Sequence, residues 1–137
     1  MRKKRQNNDK KKYWARDEVI QNRIREASQV DQFHQHVIYQ AYKKDVEGLP
    51  LDNLAEIAIE GTVEFIGQSC LVGKNPWYKG TEYRSARVCN PTWLTIALLA
   101  NEMINTTKDY CHIYLENISV VNETPELKVM GFEMGSI

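Results

Sequence analysis

Asn90-Pro91-Thr92-Trp93-Leu94-Thr95-Ile96-Ala97-Leu98-Leu99-Ala100-Asn101-Glu102-Met103-Ile104 is the stretch whose reading decides the fold. Asn90 can cap a helix, and Pro91 suits a first helical position, where a missing N–H costs nothing. On a helical wheel Thr95, Glu102, Asn105 and Thr106 form the polar stripe. Trp93, Ile96, Ala97, Ala100, Met103 and Ile104 form the apolar face, widened by Leu94, Leu98 and Leu99. Such a helix, over about residues 91–107, is expected to be buried on more than one side by a sheet, another helix or a second copy of the chain.

Around this helix the C-terminal half reads as strands. Residues 81–89 alternate, with Tyr83, Ser85 and Arg87 on one face and Arg84, Ala86 and Val88 on the other. Residues 111–121 read as a strand, with Asn117 as a bulge or bend. A five-residue loop, 122–126, then returns the chain as a partner strand over 127–134. The fold class is therefore α+β: a small antiparallel sheet of about three to four strands packed on the central helix.

Upstream, Tyr13, Trp14, Val19, Ile20, Ile24, Ala27, Val30, Phe33, Val37, Ile38, Ala41, Tyr42 and Val46 recur at three- and four-residue intervals, with no Gly or Pro before Gly48. This predicts one long amphipathic helix or two shorter ones within residues 13–47, the break falling near Ser28-Gln29-Val30-Asp31. Gly48 and Pro50 end that region. Asp52 then predicts a helix from about Leu51 to Ala58, although residues 57–66 also alternate like a strand; a strand through Ile66 follows.

The 137 residues suit a single α+β domain over 13–137, and the formal net charge is zero. That zero hides an asymmetry: residues 1–12 hold seven basic groups and one acidic, the remaining residues eleven basic and seventeen acidic. Residues 1–12 therefore read as a basic disordered tail that could touch nucleic acid weakly or lie on the acidic body. No run approaches the ~20 apolar residues of a membrane span, and no apolar signal core follows the basic start, so a cytoplasmic location is expected.

Chemistry is sparse. Cys70, Cys89 and Cys111 have no metal-ligand spacing, and structural thiols are expected. Cys89, leading into a helix N-terminus, is the thiol best placed for activation. His34 and His36, if helical, point roughly 200° apart and cannot share a metal. Cys111 and His112, adjacent on a strand, face opposite sides of the sheet. No catalytic residue, metal or cofactor is assigned. The residues singled out for binding are Lys74, Trp77, Tyr78 and Lys79 in a Gly-rich loop, with Arg84 and Arg87 on the following strand. Aromatic faces beside cations suit either a protein hot spot or a stacked nucleic acid strand.

The expectation is thus a small non-enzymatic interaction protein that self-associates as a dimer, with residues 13–46 in the contact. A nucleic-acid-binding accessory protein using the tail and the Lys74–Arg87 surface is the alternative. An enzyme with a site hidden from the sequence is the third.

Overall fold

The computed structural model describes residues 2–30, 34–68 and 82–136, with side chains of the first helix from residue 11 to residue 29. In chain order the elements are α1 (Arg2–Val30), β1 (Ile38–Tyr39), β2 (Lys43–Lys44), β3 (Pro50–Leu51), β4 (Thr62–Gln68), β5 (Glu82–Arg84), β6 (Val88–Cys89), α2 (Trp93–Thr107), β7 (His112–Glu123) and β8 (Lys128–Ser136). The fold is α+β, but the sheet is larger than the alternation predicts and mixed. Six strands run β1-β7-β8-β4-β5, with β6 also on β4. The β7–β8 hairpin is antiparallel, while β1 on β7 and β4 on β8 are parallel. Alternation reports that a strand is half-buried, not which distant strand it will neighbour.

The central helix is where the sequence puts it. Ile96, Ala97, Ala100, Met103 and Ile104 are buried against Val63 and Phe65 of β4, Leu115 of β7 and Met130 of β8. Phe65 stacks on Phe132 at 4.9 Å between ring centroids. The start differs by two residues: Thr92 is the N-cap, its hydroxyl accepting from the Thr95 N–H. Asn90 instead sits at φ 47° and bridges to Gly61, its side-chain oxygen accepting the Gly61 N–H at 2.6 Å.

Residues 51–58 are not a helix, and the reason lies at the α2 N-terminus. The first N–H groups of a helix lack intrahelical partners. Here the Trp93 N–H donates to the Glu56 carbonyl and the Leu94 N–H to the Leu54 carbonyl, while the Ala58 N–H donates to the Pro91 carbonyl. The segment spends its backbone groups on α2 rather than on itself. Asp52 does cap, accepting from the Leu54 N–H, but the result is a turn.

The N-terminal region also departs from expectation. Helix α1 begins at Arg2 and takes in the basic segment. Helix α1 ends at Val30, and from residue 34 the chain is extended rather than helical. Two side-chain amides supply the partners an extended segment needs. Gln21 on α1 pairs with both backbone groups of Tyr39, accepting at 2.8 Å and donating at 2.6 Å. Asn101 on α2 accepts the His36 and Val37 N–H groups at 2.7 and 3.1 Å and donates to the His34 carbonyl at 2.9 Å. The extended segment is thereby held by both helices. Beyond it, β2 and β3 form a short hairpin whose turn needs Gly48 at φ +81°, a conformation favouring glycine.

Helix α1 buries Ile20, Ile24 and Ser28, one turn apart, and clasps the β2–β3 hairpin with Arg16–Asp45 and Arg23–Asp52 ion pairs two turns apart. Together α1, residues 34–42 and the sheet cover the apolar sides of α2 within one chain. The second copy that its wheel invited is not needed there.

Candidate functional site

The sheet has two faces, and α2 takes only one. Val63 and Phe65 point toward α2, so Thr62, Glu64 and Ile66 point away from it. Cross-strand partners share a face. The register therefore places Arg84 of β5 and Gly131 of β8 beside Ile66, and Val129 beside Glu64. A Cβ on Gly131 would meet Val121 Cγ2 at 3.3 Å and Ser119 Oγ at 3.6 Å, and one on Gly135 would meet Glu116, so these β7 side chains lie over β8 on this outer face. No described helix packs there. Val121 remains 55% exposed, and Ile66, Arg84 and Val121 line a depression of about 630 Å³.

Glu64 anchors one side of this face. It is buried, and its carboxylate pairs with Arg84 at 2.8 Å and lies 3.9 Å from Arg87. A buried carboxylate needs such partners. Strand alternation predicts Arg84 and Arg87 on opposite faces; the structure brings both to Glu64. Ser85 is responsible. Its hydroxyl accepts the Phe65 N–H and donates to the Ala86 carbonyl, each at 2.8 Å, so a side chain replaces a ladder partner and β5 breaks before β6. The two guanidiniums share one carboxylate and remain largely exposed. Across the face stand Glu116 and Glu133, exposed and without an ion-pair partner among the described residues. Among the described residues the face carries two arginines against Glu64, Glu82, Glu116 and Glu133, a poor field for phosphate.

Of the six residues singled out for binding, Arg84 and Arg87 come together; Lys74, Trp77, Tyr78 and Lys79 lie outside the described residues, as does Cys70. Cys89 and Cys111 are free and exposed. His34 and His36 sit on extended chain, so the helical argument for separating them does not apply; His36 instead packs on Tyr110 at 4.7 Å between ring centroids. Among the described residues no group of His, Cys, Asp or Glu is arranged to hold a metal, and no helix is long and apolar enough to cross a membrane.

Tyr39, Tyr42 and Tyr83 are buried in the core that α2 shares with the sheet and α1. Burial pushes the Tyr39, Tyr42 and Tyr83 hydroxyls above the usual phenol range. Tyr39 donates to the Asn53 side-chain oxygen at 2.8 Å, and Tyr42 meets the Tyr13 hydroxyl. Glu64, Gln21 and Asn101 were missed as organising residues. Asn101 had a readable signal, a carboxamide flanked at −4 and +3 by Ala97 and Ile104. Comparison with known proteins yields no match to a family model, a curated protein or a solved structure.

Proposed function

We propose that this chain is a self-associating interaction protein whose dimer forms by face-to-face packing of the outer sheet surface. One observation carries it: a mixed six-stranded sheet with no described helix on one face, where Ile66, Val121 and Val129 lie between an arginine pair and two glutamates without an ion-pair partner among the described residues. A two-fold axis along the strands, near the central β8, would lay Val121 on β7 of one copy over Ile66 on β4 of the other. It would also stack the apolar centres. Sheets packing face to face keep their strands nearly aligned, as this axis requires, and an isologous contact needs such self-complementarity.

The acid-rich face weighs against nucleic acid as its partner. Val121→Arg places a cation at the centre of the contact while costing the monomer little, because Val121 is half exposed already. Sedimentation velocity is expected to show the native chain at about twice 15.9 kDa and Val121→Arg at the monomer mass. Val19→Arg, on the exposed side of α1, should leave the dimer intact. A native monomer at micromolar concentration would overturn the proposal, as would a Val121→Arg dimer.

A further inference from the structure

At the C-terminal end of α2 the layer between helix and sheet opens into a cleft of about 250 Å³. Met103 and Thr107 line it from the helix, Gly67 from β4, Phe132 and Met134 from β8, and His112 from β7. Gly67 helps to make the space. A Cβ there would stand 2.2 Å from the Met103 sulfur, so a larger residue would push Met103 aside. Met103, Phe132 and Met134 give the cleft its apolar wall, and Thr107, Asp109 and His112 give it a polar one. There Asp109 holds His112 Nδ1 at 3.1 Å. With Asp109 engaging Nδ1, the other ring nitrogen, Nε2, is the one left to meet a ligand. The Asp109–His112 pair closes the turn from α2 into β7, but a turn needs no imidazole lining a cleft.

The geometry points to a ligand site for a small aromatic or alicyclic alcohol, with the ring among Met103, Phe132 and Met134 and the hydroxyl donating to His112 Nε2. Size sets the class: a dry apolar cavity of about 150 Å³ admits benzene, so 250 Å³ suits a ring with one or two substituents. The polar wall sets the chemistry. In a wholly apolar cavity a hydroxyl is desolvated without compensation, and the hydrocarbon binds better. With an acceptor in place the order reverses. This site lies on the helix side of the sheet and does not depend on self-association.

The test uses p-cresol and toluene as probes of the intact protein labelled at its methionine methyl groups. Titration with p-cresol is expected to shift Met103 and Met134 saturably, leaving Met130, in the closed core, unmoved. Preference for p-cresol over toluene should be about three- to tenfold, the worth of one hydrogen bond. In His112→Phe, which keeps a ring and loses the acceptor, toluene should become the tighter ligand. Asp109→Asn, which loosens the hold on Nδ1, should lower the preference without closing the cleft. Absence of saturable shifts at Met103 and Met134, or a preference for p-cresol that survives in His112→Phe, would overturn the assignment. Chemical-shift spectra of each variant without ligand report whether it is folded. Should His112→Phe fail to fold, toluene binding the native protein more tightly than p-cresol would overturn it as well.

Discussion

Replacing Asn101 by alanine removes the clasp between α2 and the extended segment beside it. Asn101 is 2% exposed, and its carboxamide makes three hydrogen bonds to the backbone of residues 34–37. Each such bond is worth about 0.5–1.5 kcal/mol net, and a buried group left unpaired costs about 1–3 kcal/mol. The His34 carbonyl keeps a partner in the Asn105 side chain, at 3.3 Å. The buried Val37 N–H does not, and the His36 N–H is only partly open to water. The expected loss is about 2–4 kcal/mol, a large fraction of an ordinary domain's stability. Urea denaturation followed by far-UV circular dichroism measures it, and hydrogen exchange localises it, with His36 and Val37 amides accelerated beyond the global change. Gln21→Ala should show the same signature at Tyr39. The double variant should fall short of additivity, because both amides hold one segment. A loss below ~1 kcal/mol for Asn101→Ala, with no local change in exchange, would refute the idea that these amides position the segment.

Ile104→Ala should cost about 2–5 kcal/mol and half-buried Leu98→Ala clearly less, both read by chemical denaturation, since only Ile104 lies fully in the core. Alkaline pH should unfold the protein. Tyr39, Tyr42 and Tyr83 hold their protons longer folded than unfolded, so stability is full below about pH 10 and falls as pH rises through the raised folded values. Tyr83→Phe should flatten that fall in a pH-resolved thermal melt. Asp45 behaves oppositely. Hydrogen bonds from the Leu49 backbone and from Arg16 hold its carboxyl below the usual range, so its contribution is present above that range and lost as acid reaches the lowered value. Asp45→Asn should therefore remove part of the acid limb of the stability profile while leaving the alkaline limb unchanged.

The parts of the fold legible in the sequence are those governed by local pattern. The helix around Ile96–Ile104, the β7–β8 hairpin and the irregularity at Asn117 all follow from periodicity and turn chemistry. The register does shift between Leu115 and Asn117, where the Asn117 side chain accepts the next N–H. Residues 34–47 misled because Val37, Ile38, Ala41 and Tyr42 fit helical spacing as well as an extended chain with two burial sides. What decides them is far away, in Gln21 and Asn101. Residues 51–58 misled likewise, since their carbonyls serve Trp93 and Leu94. At the candidate surface, Arg84 and Arg87 were identified, but their convergence was not. That depends on Ser85 substituting for a ladder partner and on Glu64, whose alternation in β4 gives no hint of its burial.

The face-to-face dimer is tested most directly by which methyl groups meet across the two copies. In a mixture of isotopically labelled and unlabelled chain, filtered nuclear Overhauser spectra report only contacts between copies. Contacts are expected from the Val121 methyls to Ile66 and Val129 of the other copy, near the two-fold axis. Val19 and Leu51, exposed on the α1 side, should give none. Cross-copy contacts confined to Val19 and Leu51, or no cross-copy contacts at all, would contradict the assignment of the outer sheet face as the site of self-association.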